Sequence, residues 1–323
     1  MIRILNVEPL GYSEIARNIL RQAGELTEMS LSRQELLEQL SGYDVLIVRL
    51  EHQIDRAVID AGTRLKAIVS ATTGLDHIDV GYAHASGITI LSLRGETEFL
   101  RTVSATAEHT WALLLALLRR IPQAFASVCA GEWERDRFRG HELDGKRLGI
   151  VGLGRIGRKV ARYSIAFGMD VAACDPFAEE WMSEVKRFET LEELLANSDV
   201  LSLHVPLNDE TRDLLDARAL GLLPEDAILV NTARGEIVDE NALVAALTTG
   251  RLAGAALDVI HNERDPQARY ASPLVAYART HDNLLLTPHI GGATFESMTK
   301  TEVFMALKLA AFVQTLGANS YSI

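Results

Sequence analysis

The sequence predicts an α/β protein built from two doubly wound parallel-sheet domains, and three observations carry that reading. Short apolar strands alternate with amphipathic helices through the first hundred residues, pause at a long apolar helix over 103–120, and start alternating again near 148. Such alternation implies crossover connections, hence parallel strands covered by helices on both faces. The chain has 323 residues, 48% of them hydrophobic, enough to fill two cores. A last helix, over 294–316, has no strand after it in its own half and is expected to return to the first. The domains are then 1–100 plus 294–323, and 101–293, joined by two crossings of the chain around a hinged cleft.

In the first half, strands are expected over 3–7, 44–48, 66–70 and 88–91, with helices between them. Ser32 followed by Glu35, and Thr190 followed by Glu193, have the spacing of capping boxes that start helices. The long helix is expected to stop just before Pro122, whose ring removes a backbone donor. Its apolar face is wider than one core needs, which suggests a bridge between domains, and its stripe of Leu113, Leu114, Leu117 and Leu118 reads as core or interface rather than a cofactor pocket. The polar stretch 131–145 reads as an arm that grips a second copy of the chain. In the second half, strands are expected over 148–152, 170–174, 199–203, 227–231, 254–258 and 284–287. No repeat of 20–50 residues suggests a solenoid.

Composition narrows the function classes. A net charge of −12 argues against nucleic acid as the main partner, because phosphate binding needs a basic surface. No apolar stretch is long enough to span a membrane, and Met1-Ile2-Arg3-Ile4-Leu5 lacks a signal-peptide layout. Cys129 and Cys174 have no metal-ligand spacing, so no metal is expected, and reduced thiols in a cytoplasmic protein are the plain reading.

The strand before Gly152 runs into Gly152-Leu153-Gly154-Arg155-Ile156-Gly157, a G-x-G-x-x-G turn opening a helix over 156–167. Gly152 permits the tight turn, Gly154 lets a phosphate approach the backbone, and Gly157 lets the helix pack on the strand, so helix amides and dipole meet a pyrophosphate. Glycine pairs also end ordinary strands; Asp175, 18 residues past Gly157 at the end of the next strand, raises the motif above that. A carboxylate there can accept both ribose hydroxyls and would repel a 2′-phosphate, and no arginine follows it in Asp175-Pro176-Phe177. The expected cofactor is NAD.

Ligands of doubly wound sheets sit beyond the carboxyl ends of the strands. That rule selects Thr232, Ala233 and Arg234 after one strand, Asp258 and Glu263 after the next, and His289, Gly291 and Gly292 after the last. In the first domain it selects Thr73 and Gly74, with backbone amides to offer, and Arg49, which is either a contact for a distal anionic group of a substrate or a surface charge. Arginine can fork onto a carboxylate and a carbonyl oxygen, histidine can exchange a hydroxyl proton, and a neighbouring carboxylate fixes the imidazole. His204, before Val205-Pro206, reads as the end of a strand beside the cofactor rather than as an acid–base group.

Taken together, Gly131-x-Trp133-Glu134-Arg135, the glycine turn, His204-Val205-Pro206-Leu207, Asn231-Thr232-Ala233-Arg234-Gly235, Ala256-Leu257-Asp258-Val259 and Thr287-Pro288-His289-Ile290-Gly291-Gly292 make the chain resemble the D-isomer-specific 2-hydroxyacid dehydrogenases. Within that family it is most similar to the phosphoglycerate-oxidising members. The resemblance implies a Rossmann NAD-binding domain and a smaller flavodoxin-like substrate domain in a homodimer. It implies Arg234, Glu263 and His289 as the catalytic set, acting on a small anionic 2-hydroxy or 2-keto acid. Asp258 would hold the nicotinamide amide, Asp175 the adenine ribose, Arg155 and Ile156 the pyrophosphate, Val205 and Pro206 the adenine side, and Thr73 and Gly74 the substrate carboxylate.

Three departures bear on this. Glu263 is followed by Arg264-Asp265-Pro266 where the family places its acid directly before proline, so Asp265 is the alternative partner of the histidine. Thr72-Thr73-Gly74 replaces a more glycine-rich loop, and the 94–101 segment is longer than usual. The chain is expected to lack the regulatory domain that extends some phosphoglycerate dehydrogenases. A second class remains open, an NADH-sensing binding protein of the C-terminal-binding corepressor type; formate dehydrogenases pair their histidine with an amide, which Glu263 disfavours.

Overall fold

The structure is a computed structural model that describes residues 1–318. It divides into two units, Met1–Val103 together with the chain from Ala293 on, and Ser104–Gly292. The first unit opens with β1 (Arg3–Asn6), α1 (Glu14–Ala23), β2 (Glu25–Glu28), α2 (Arg33–Gln39), β3 (Val45–Val48) and α3 (Arg56–Ala61). It continues through β4 (Ala67–Ser70), α4 (Val80–Ala85), β5 (Thr89–Ser92) and α5 (Thr97–Arg101). The second unit runs α6 (Ala105–Leu118), α7 (Ile121–Cys129), β6 (Arg147–Val151), α8 (Arg155–Ala166), β7 (Asp170–Cys174), β8 (Lys186–Arg187), α9 (Leu191–Ala196), β9 (Val200–Leu203) and α10 (Ala217–Leu222). It ends with β10 (Ala227–Asn231), α11 (Glu240–Thr248), β11 (Leu252–Leu257), α12 (Pro266–Ala271), α13 (Pro273–Ala278) and β12 (Leu284–Leu286). The last helix, α14 (Phe295–Ala318), packs along α1 in the first unit.

Every strand pair is parallel. The first sheet has the order β2-β1-β3-β4-β5, the flavodoxin-like arrangement. The second has the order β12-β11-β10-β9-β6-β7-β8, a six-strand dinucleotide-binding order with a seventh strand added at the β11 edge. Both sheets are buried on two faces, which is why their strands read as unbroken apolar runs instead of alternating ones. In β9, Leu201 and Leu203 enter one core while Val200 enters the core on the opposite face, where α6 packs Ala107, Trp111, Leu114 and Leu118. In the first unit, Leu46 and Val48 of β3 face the α2–α4 side, and Val45 and Ile47 face α1 and α14.

Three elements differ from expectation. β2 escapes the apolar pattern because Glu-Leu-Thr-Glu lies at a sheet edge and is only partly buried. β8 is two residues long. Pro122 does not merely end a helix: α6 stops at Leu118, Arg120 takes a left-handed turn, and Pro122 then serves in the first turn of α7, where no backbone donor is needed. No single helix among the described residues is long and apolar enough to cross a membrane.

Candidate active site

The register of the second sheet aligns its functional residues. Cys174, Val151, Leu203, Asn231, Leu257 and Leu286 are consecutive register partners across β7, β6, β9, β10, β11 and β12. The residues that follow them, Asp175, Gly152, His204, Thr232, Asp258 and Thr287, therefore leave one edge of the sheet in a row. Sequence positions spread over more than a hundred residues become neighbours through parallel pairing alone.

Toward one end of the row, Gly152 has φ +89, and a Cβ there would lie 2.7 Å from the His204 carbonyl oxygen. A Cβ at Gly157 would lie 2.2 Å from the Gly152 oxygen, so that glycine is required for α8 to sit on the turn. Gly154, the residue capping α8, faces open space, and a side chain there would occupy the room in front of the helix amides. Beside it, Asp175 accepts hydrogen bonds from Leu153 N (2.8 Å) and Phe177 N (2.9 Å). An ionised carboxylate has about four acceptor positions, which leaves capacity for ribose hydroxyls. This arrangement fits a dinucleotide: an uncovered helix N-terminus for the pyrophosphate and an acid one strand away for the ribose. Arg155 and Ile156 open α8 on the same turn, and desolvation lowers the Arg155 pKa. His204 is held neutral, its pKa pushed by burial down to about 3, with Nε2 beside Ser202 Oγ at 2.8 Å. Val205 and Pro206 follow it directly.

The other end of the row carries the arginine, the acid and the histidine. Asn231, 1% exposed, shapes the arginine turn: its amide donates to the Arg234 carbonyl (2.8 Å) and its oxygen accepts from Ala233 N (2.9 Å). Arg234 Nη1 donates to the Ala233 carbonyl at 2.6 Å. Gly235 is where this turn meets the next one, since a Cβ would lie 2.1 Å from the Ile260 carbonyl carbon. Glu263 is hydrogen-bonded to His289 Nδ1. Asp265 caps α12 by accepting from Gln267 N (2.8 Å), so the structure gives the histidine to Glu263 and the helix to Asp265.

Asp258 is 1% exposed, and its carboxylate turns back into the protein. It accepts from Thr287 Oγ1 (2.6 Å), Ile290 N (2.9 Å) and Gly291 N (2.7 Å), with His109 Nε2 at 3.2 Å. These contacts hold its pKa below the usual carboxylate range although burial pushes the other way. Its carbonyl accepts the His289 amide at 2.8 Å, and His289 itself sits at φ +53. Gly292 ends the unit.

The remaining candidates belong to the first unit. Thr73 is exposed and Gly74 partly buried after β4, where Ser70 Oγ, Thr72 Oγ1 and the Gly74 carbonyl form a chain of 2.9 Å and 2.8 Å hydrogen bonds. Arg49 spends both Nη2 hydrogens on the Glu8 and Leu10 carbonyls (2.6 Å each), and its Nη1 stands 3.5 Å from Glu302. Sequence reasoning did not single out Thr110 and His109, and it quoted Asn231 and Thr287 within motifs without giving them a role. Asn231 and Thr287 sit at strand ends and were within reach of the rule used; His109 is 149 residues from the acid it touches and gives no local signal.

Residues 111–291 match the family described as D-isomer specific 2-hydroxyacid dehydrogenase, NAD binding domain. A D-3-phosphoglycerate dehydrogenase of Methanocaldococcus jannaschii is 39% identical over 95% of this chain; the chain spans about half its length, 56%. A hydroxypyruvate reductase of Thermotoga maritima is 36% identical over 88% of this chain and 90% of its own. A crystal structure of an Aquifex aeolicus D-lactate dehydrogenase complexed with NAD and lactic acid superposes with TM-score 0.84 at 28% identity, covering 97% of this chain and 96% of that one. The chain thus belongs to the D-isomer-specific 2-hydroxyacid dehydrogenase family, and residues 111–291 are its NAD-binding domain.

Proposed function

We propose that the protein is an NAD-dependent oxidoreductase interconverting a small D-2-hydroxy acid and its 2-keto acid, with 3-phosphoglycerate the first substrate to try. The observation that carries this reading is the row of strand ends that sets the Arg234 turn, the Glu263–His289 pair and the glycine turn on one sheet edge. NAD, when bound, supplies the two-electron exchange at the substrate's C2. Arg234 binds the substrate carboxylate and carbonyl oxygen and polarises the carbon between them. Glu263 accepts from Nδ1 of His289, which fixes the ring and leaves Nε2 to give or take the hydroxyl proton. Gly152, Gly154 and Asp175 set the dinucleotide in register with that edge. We further propose that two copies associate through α7 and the 131–145 segment.

The test is NADH oxidation against phosphohydroxypyruvate, hydroxypyruvate, glyoxylate, pyruvate and bulkier keto acids. His289→Ala is expected to keep NADH affinity and to lower kcat by roughly 10²–10⁴, the usual worth of a positioned acid. NADH binding with no turnover of any acid would overturn the enzymatic reading in favour of a sensor of the corepressor type.

A further inference from the structure

Helix α6 carries two consecutive polar side chains, and each reaches a different strand-end turn. His109 Nε2 lies 3.2 Å from Asp258 Oδ1 and 3.0 Å from Thr287 Oγ1. The protons of this cluster can be assigned. Thr287 Oγ1 is 2.6 Å from the same Asp258 oxygen, and a carboxylate only accepts, so the single threonine proton goes there. Nε2 then faces a carboxylate oxygen and a hydroxyl whose proton is spent, and must itself carry hydrogen. The next residue follows the same logic. Thr110 Oγ1 donates to the Thr106 carbonyl (2.8 Å) and hence accepts from Thr232 Oγ1, 2.8 Å away on the turn that leads to Arg234.

We propose that His109 is a positioning residue for the reaction: its Nε2–H holds the Asp258 carboxylate in the orientation that receives the Ile290 and Gly291 amides, and through them keeps His289 in place. Thr110 does the same, with one bond, for the arginine turn. The need for such a brace is visible in the backbone. His289 occupies a left-handed conformation that side-chain-bearing residues rarely adopt, and such a state persists only where its surroundings over-determine it. Its own amide is held by the Asp258 and Thr287 carbonyls, and the next two by the Asp258 carboxylate. With Asp258 1% exposed, water is a poor substitute for a lost donor, so removing Nε2–H loosens the acid and then the turn.

The proposal rests on the catalytic reading of His289 but is tested apart from it. His109→Gln places an amide donor near the original Nε2; His109→Asn is too short to reach. In full-length protein without substrate, amide hydrogen exchange at Ile290 and Gly291 is expected to be about tenfold faster in the Asn variant and close to wild type in the Gln variant. With substrate, kcat should fall by about the same factor in the Asn variant, with KM and NADH affinity unchanged, and recover in the Gln variant. Equal protection of the two amides in wild type, Asn and Gln variants would overturn the proposal. So would faster exchange spread over all of Ser104–Gly292 in the Asn variant, which would make His109 a stability residue. Because exchange is read without turnover, an enzyme inactive on every acid tested would leave this result intact.

Discussion

Asp175 holds the glycine turn and is the residue proposed to meet the ribose, and that is why its substitution is informative. Its carboxylate accepts from Leu153 N and so fixes the glycine turn, and the capacity it has left is what ribose hydroxyls would use. Asp175→Ala should weaken NAD binding by roughly tenfold to a hundredfold, the range for losing hydrogen bonds to a charged group. The same change removes the charge that would repel a 2′-phosphate, so NADPH should lose less affinity than NADH, and fluorescence titration with both reads the difference. Equal losses for the two would mean that Asp175 only holds the turn. Residues of this kind were legible in the sequence because one strand-end rule and one spacing identify them. Arg49 satisfies the same rule, yet its guanidinium lies against the Glu8 and Leu10 carbonyls and over the Tyr12 ring at 5.8 Å, company that a strand-end position cannot reveal. His109 shows the opposite failure, since only folding brings it to Asp258.

Among the elements, α14 shows how a segment distant in sequence is locked into a sheet domain. Glu302, 1% exposed on its inner face, accepts from Ser13 N at 2.6 Å, beside Arg49 at 3.5 Å. Burial raises its pKa above the ordinary carboxylate value of 4.5, with Arg49 and Arg17 opposing the shift. A carboxyl whose folded pKa is raised favours the folded state in its protonated form. That contribution is complete below about 4.5 and is lost as pH rises through the folded value. Glu302→Gln is neutral at every pH, so its Tm relative to wild type should climb between pH 4.5 and 7.5, as wild type meets the cost of a buried charge. A difference in Tm that stays flat or falls over that range would show that Arg49 fully compensates the charge. The existence of α14 was legible from its length and from the lack of a strand after it; β2 was not, because an edge strand such as Glu25–Glu28 can be polar without cost and carries no periodic signal.

For the whole molecule, the exposed apolar face of α7 bears on assembly. Ile121, Phe125 and Val128 recur at helical spacing on one face and are 54%, 70% and 49% exposed, and Trp133 just beyond is 86% exposed. Monomeric proteins seldom leave that much apolar surface together, and a second copy is the occupant proposed above. A charge of −12 on each chain makes two copies repel at long range, so association must come from apolar contact and should survive physiological salt, which screens the repulsion. Sedimentation of the wild-type protein is therefore expected at twice the 35.4 kDa chain mass. The double variant Phe125→Asp, Trp133→Ser should sediment as a single chain with Tm within a few degrees of wild type, because neither side chain belongs to the cores of the NAD-binding unit. Its NADH affinity should also hold, since the glycine turn and Asp175 lie on other elements of that unit. Wild-type protein sedimenting only at 35.4 kDa across micromolar concentrations would remove the dimer and leave the α7 face to a different partner.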